Sequence, residues 1–550
     1  MKKTFGTLAL CLLVGLAALS LGGCGGGSDT AENGPVPNPY LASSLYAVTH
    51  FDSSQSDSTP YGPPPGTFTV SPDRQPIVYG GPVNIMTLAS TQADYLWGVG
   101  TDRVAYVKGR DGAWTSVASL EAPAYTDPTL TYVPESAQRA VGEQSFEGKT
   151  SGDVDRILTQ AYGQNYTARL QNSSYSVVDR DNVLYANYGR GIYAFALTDP
   201  ADPAKGIRVA RSADIAAIQG AGATTANLFG LSMTYDGHLV VNFSNGVAVV
   251  DRSLDAATAQ FVPFGADERT SNSLAVDEKG GIYVASNKLM HKLVWTGTTL
   301  SAREADGAWT SPYDAPDDAV PPIVKFGTGT GSTPTLMGFG SDRDKLVVIT
   351  DGAKRMKLVA FWREDIPGDF VQRPGTASRR IAGQIPVTCG FGTLPEWIQS
   401  EQSVVVRGYG AFVVNNIPQN AASFGLDPNN KLLGVFTMGP VFPACLGVER
   451  FRWDPTSRAW TSVWARPDVS STSMIPIHSQ SSRMALVTGY YGAGGWEVTG
   501  LDWDTGTTVH RTILGKQNYG NGAYAILEYL PNGDLLFNSA VGPYRVTYPR

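Results

Sequence analysis

The chain has 550 residues, with 42 Lys and Arg against 49 Asp and Glu and a formal charge of −7. Its basic residues are scattered, with no stripe that would follow a phosphate backbone, which excludes nucleic acid as a partner. Beyond the N terminus no run approaches 18 consecutive apolar residues, so the body contains no membrane-spanning helix by this measure.

In chain order, Lys2 and Lys3 come first. They precede an apolar run from Leu8 to Leu21 that is short for a permanent span. Leu21-Gly22-Gly23-Cys24 follows and resembles a bacterial lipoprotein box. The resemblance implies a signal peptide over 1–23 and lipid chains on Cys24 that anchor without spanning. Ordinary secretory cleavage near Gly23 is the alternative. Gly25 after the cysteine resembles the pattern sorted to the outer membrane, with the body facing the periplasm or the cell surface. Loss of Lys2 and Lys3 leaves 40 basic residues against 49 acidic, a charge of −9. The stretch GGGSDTAENGPVPNPYLAS (25–43) is small, polar and Pro-rich. With Cys24 it reads as a flexible tether over 24–43, leaving 44–550 as the body.

The Ser-rich segment HFDSSQSDSTPYGPPPG (50–66) carries His50, Asp52 and Asp57. Either aspartate could orient His50 as a general base, which makes these three the candidate catalytic residues. Turn capping by Ser and Asp is the structural alternative, and no nucleophile accompanies them. As a long irregular loop, the segment is expected to cover the mouth of any central opening.

Next come paired apolar runs around polar turns, beginning with NIMTLASTQADYLWGVG from Asn84. Val154, Ile157, Leu158 and Ala161 follow helical spacing after Ser151 and predict one amphipathic helix. Ser212 is the expected cap of a second short helix, ending at Gln219. Further hairpin units start at Ser174, Leu231, Ser271, Pro334, Glu401, Met474 and Tyr524. SNSLAVDEKGGIYVAS (271–286) lies over EQSVVVRGYGAFVVNN (401–416) without a gap. A second element, DGAWTS at 111–116 and 306–311 and RAWTSVW at 458–464, follows some of the hairpins.

An inner and an outer hairpin per unit make a four-stranded sheet, too small to bury both faces alone. Arranged radially, each sheet covers its neighbour. The pattern predicts an all-β chain forming a single β-propeller, with two packed sandwiches as the competing architecture. The count of hairpins favours eight blades, with seven as the alternative. The last unit, ending PYRVTYPR, has sequence for three strands, and SLYAVTH (44–50) is the N-terminal strand expected to close the ring.

In a propeller the innermost strands begin at the central channel, so the residues just ahead of them are ligand candidates. Here these are Ser271, Asn272, Thr333, Glu401, Gln402 and Asn521. Hydrogen bonding to turns and channel water is the plainer role for such residues. NSLAVDEKGGIYVAS resembles the strand opening of calcium-dependent lactonase and gluconolactonase propellers, and VLYANYGRGIYAFAL (183–197) resembles YVTN-type propellers. The first resemblance implies Ca²⁺ on Asn272, to which Glu401 adds a carboxylate. Two functions follow. One is a membrane-anchored propeller binding a small molecule, glycan or protein; the other is a calcium-assisted hydrolase or isomerase of lactone-like or ester-like substrates. Cys389 and Cys445, an even pair in an oxidising compartment, read as one disulfide, with two buried thiols as the alternative.

Overall fold

The computed structural model describes residues 33–549 apart from 110–112, 126 and 221–226. The signal peptide and Cys24 lie outside the described residues.

All eight predicted hairpins are inner hairpins of antiparallel sheets, with the strands of each sheet added in chain order from the axis outward. Seven sheets have four or more strands: blade 1 (84–121), blade 2 (177–214), blade 3 (228–263), blade 4 (275–312), blade 5 (335–386), blade 6 (405–471) and blade 7 (477–515). These are the seven blades of the alternative count. The expected eighth is a three-stranded sheet over 527–546, between blade 7 and blade 1. Ile475 bridges Ile526 on one side of it, and Thr87 of blade 1 donates to Glu528 at 2.8 Å on the other.

The turn chemistry of the repeat is explicit. In blade 4, Asp277 ends the first strand and accepts from the amides of Lys279 and Gly281 and from the Tyr283 hydroxyl, the last at 2.6 Å. Asp179 does the same for Asp181, Val183 and Tyr185 in blade 2. Such Asp turns hold the hairpin without using the ladder's own groups. The AWTS strings open outermost strands: Thr115–Glu121, Trp309–Pro312 and Ala459–Ser471. Every residue of Leu184–Tyr188, Leu239–Phe243, Gly281–Ala285 and Leu346–Thr350 is buried, as sheets covered on both faces require.

Closure differs from expectation. Residues 44–50 do not pair with the last sheet. Its outer edge is taken instead by the chain around Ile77, which bridges Tyr544, while Val78 and Gly80 donate to Pro543 and Val541 at 3.1 and 3.3 Å. Gly542 sits there at φ +144°, and a Cβ on it would lie 2.0 Å from the Val78 carbonyl, so the clasp requires glycine.

The segment 46–57 runs instead down the axis. The innermost strands present unpaired amides to the channel, and this segment supplies their acceptors. The carbonyls of Tyr46, Ala47, Ser53, Ser54, Ser56 and Asp57 accept from Ala89, Val178, Val276, Leu336, Val406 and His478, one each from blades 1, 2, 4, 5, 6 and 7. The tight path puts Tyr46, His50, Phe51, Gln55 and Asp57 in the left-handed region. The expected surface loop is therefore a buried axial plug. The chain then leaves along blade 7, where Ser58–Thr59 and Gly66–Thr69 pair in parallel with its inner and outer strands.

Two further corrections follow. Residues 33–43 of the expected tether are held on the ring: Asn38 donates to Met233 O at 2.9 Å and Leu41 bridges Asp179. Cys389 and Cys445 form no disulfide. Cys445 donates its thiol to Asn416 O at 3.0 Å, and the two lie in different apolar clusters. Burial pushes the Cys445 thiol up to about 12, and pushes Cys389 well above its ordinary value.

Two insertions build a cap. The segment between blades 1 and 2 contains α1 (Glu135–Gly142) and α2 (Ser151–Tyr162). The predicted α2 starts from a capping box in which Thr150 and Asp153 satisfy each other's amides. The short α3 (Ile215–Gln219) is capped by Asp214, because Ser212 belongs to the preceding strand. In blade 6 an insertion forms α4 (Lys431–Thr437), capped by Asn430. Asn430 also donates to Tyr166 Oη at 2.9 Å, and Tyr166 donates to Asp155 of α2 at 2.8 Å. Leu432 and Phe436 of α4 share one apolar cluster with Val154 and Leu158 of α2.

Candidate functional site

Between the cap and the start of the inner strands lies a cavity of about 530 Å³. Its wall includes Ser271 and Asn272 ahead of blade 4, Glu401 and Gln402 ahead of blade 6, and His50 at the top of the axial plug. The position of a residue just before an inner strand thus brings four of the sequence candidates together. Thr333 and Asn521 do not join them. Thr333 Oγ1 accepts from the Ser273 amide at 3.2 Å, and Asn521 donates to Val435 O at 3.3 Å; both are buried.

The histidine candidate divides in two. His50 Nδ1 lies 2.9 Å from both carboxylate oxygens of Asp57, and its ring stacks at 6.2 Å on Tyr175. Its Nε2 is buried and has no partner. Asp52 takes no part in this pair. It accepts from the hydroxyls of Ser54 and Ser56 at 2.5 Å each and from their amides, as the turn-capping alternative expects. Burial raises both aspartates above the ordinary carboxylate range. His50 opposes the shift at Asp57, and the serine hydrogen bonds oppose it at Asp52.

The opposite wall holds a buried acid with two lysines. Burial pushes Glu401 up to about 8, against the charge of Lys325, the Phe326 amide at 3.2 Å and the charge of Lys431. Burial likewise brings Lys325 down to about 8, against Glu401 and Asp351. Lys325 donates to Gly329 O and Gln399 Oε1. Lys431, at the start of α4, is also lowered by burial, against Glu401 and Asp427. Tyr175 donates to Asn272 Oδ1 at 3.2 Å, and the Asn272 side chain also favours the charged form of Glu401.

The remaining wall is largely apolar and was not read from the sequence. Phe229, Ile475 and Tyr524 come from the ring, Phe326 and Val320 from the blade 4–5 connection, and Ala168 from the cap. Phe326 and Tyr524 pack at 5.2 Å, and Tyr524 donates to Val324 O at 2.7 Å. Phe326 and Lys325 follow the acidic loop around Asp314, which pairs with Lys357 at 2.6 Å. A concave chamber with apolar patches and converging polar groups, several with shifted titration, is the usual form of a small-molecule site.

No family model matches the chain. A protein of Archaeoglobus fulgidus described as uncharacterized is 34% identical over 319 residues, which is 56% of this chain and 58% of that protein. The chain thus matches little more than half the length of that relative. Among solved structures, the quinohemoprotein alcohol dehydrogenase of Comamonas testosteroni aligns over 91% of this chain and 76% of its own, at 9% identity and TM-score 0.48. The periplasmic gluconolactonase of Pseudomonas aeruginosa aligns over 76% and 93%, at 14% identity and TM-score 0.34. These are weak resemblances to propeller proteins, some of them enzymes, and they carry nothing about chemistry. The propeller assignment rests on the ring of sheets.

Proposed function

We propose that this protein is a lipid-anchored, extracytoplasmic propeller whose channel-mouth cavity binds a small organic molecule. The observation that carries the reading is the convergence of His50, Asn272, Glu401 and Gln402 with an apolar wall on one chamber of about 530 Å³ beneath a helical cap. The anchor part of the proposal rests on the lipoprotein box at Cys24.

A thermal-shift screen of a fragment library tests the binding reading. Hits are expected to raise the melting temperature of the wild type and to leave Ala168→Trp, which fills the chamber from the cap, unshifted. Absence of hits, or equal shifts in both proteins, contradicts it. Incorporation of labelled palmitate in cells, lost in Cys24→Ser, tests the anchor.

The calcium-assisted hydrolase is the second reading, supported by the shared wall of Asn272 and Glu401. The donor set does not suit a divalent cation. Glu401 already faces Lys325 and Lys431, cations that compete with a metal for its carboxylate. Among the described residues no group of three or more His, Cys, Asp or Glu is placed to hold a metal.

A further inference from the structure

The chamber's charges indicate what kind of molecule it takes, on the premise that it binds one. Apart from tyrosines, its titratable side chains are His50, Lys325, Glu401 and Lys431. Lys325 is committed to two protein acceptors. Lys431 makes no hydrogen bond or ion pair among the described residues, and Asp427, the other acid acting on it, is exposed. Glu401 cancels at most one of the two lysines, so the wall keeps a net positive charge.

We infer that the cavity binds a small organic carboxylate with an apolar or aromatic body, with Lys431 as its counter-charge. The body packs on Phe229, Phe326, Ile475 and Tyr524, and Val320, 56% exposed, forms the rim. One uncommitted ammonium and no arginine on the wall suit a monoanion better than a phosphate dianion.

The test uses three probes of one shape on the full chain: 4-phenylbutanoate, 4-phenylbutanamide and 4-phenylbutylamine, titrated calorimetrically at pH 7. The acid is expected to bind about ten- to a hundredfold more tightly than the amide, with the amine weakest. Lys431→Gln brings the acid to the level of the amide, and Lys431→Arg restores the preference. Equal or tighter binding of the amide or amine, unchanged by Lys431→Gln, overturns the carboxylate inference while leaving small-molecule binding in place. If none of the three binds the wild type, the carboxylate inference falls, and the fragment screen alone decides whether the chamber binds a small molecule.

Discussion

Asp57 holds His50 through its carboxylate and His478 through its backbone. Both carboxylate oxygens lie 2.9 Å from His50 Nδ1, and the Asp57 carbonyl accepts from the His478 amide at 2.9 Å. One residue therefore orients the imidazole on the cavity wall and ties the axial plug to blade 7. Asp57→Ala removes only the carboxylate and strands a buried imidazole. The expected loss is about 3 kcal/mol of stability, read from urea denaturation. A midpoint equal to the wild type's would show that the pair contributes nothing.

The clasp makes a separate prediction. Gly542→Ala places a Cβ against the Val78 carbonyl at a backbone angle that L residues avoid. The variant should lose about 2 kcal/mol or more. Hydrogen exchange should quicken in the 77–80 and 542–546 segments before the middle blades. Uniform exchange across the ring would argue against a closure point there.

Glu528 sets a pH dependence. It is buried between blade 1 and the three-stranded sheet, bonded to Thr87 and facing Asn538 and Tyr46. Burial raises it from 4.5 to about 8, so the folded state keeps a proton that the unfolded state has released between those values. Its contribution to stability is present below pH 4.5 and is lost as pH rises toward 8. Glu528→Gln should flatten the fall in melting temperature between pH 5 and 9. An unchanged slope would remove Glu528 as its source.

His478 has the opposite sign. Burial, then Arg407, Arg450 and Arg483, lower it from 6.5 to about 3, and its Nδ1 lies 3.0 Å from Ser58 Oγ. The unfolded state binds the proton first, so stability is lost as pH falls from 6.5 toward 3. His478→Gln should be less acid-sensitive than the wild type in melting curves from pH 7 to 4. Equal sensitivity would contradict the assignment.

The sequence carried the blades well and the cap poorly, for physical reasons. Asp277, Gly280 and Tyr283 form a self-contained turn, so each hairpin leaves the same local signature wherever it occurs. Asn272 and Glu401 were legible because their position is fixed by the strand that follows. The plug had no such signature: one carbonyl to each of six blades constrains the path of 46–57 but not its side chains. Lys431 and Phe326 belong to insertions whose places are set only by tertiary packing, and KLLGVFT, buried over most of its length, shows no amphipathic period. SLYAVTH reads as a strand because of its apolar run, but its buried apolar residues, Ala47 and Val48, lie in the channel.

The most direct test of the account is a crystal structure of the protein grown with 4-phenylbutanoate. The account predicts the phenyl ring against Phe326 and Tyr524 and the carboxylate within hydrogen-bonding distance of Lys431, beneath an intact cap. Ligand density elsewhere on the molecule, with this chamber holding only water, would contradict it.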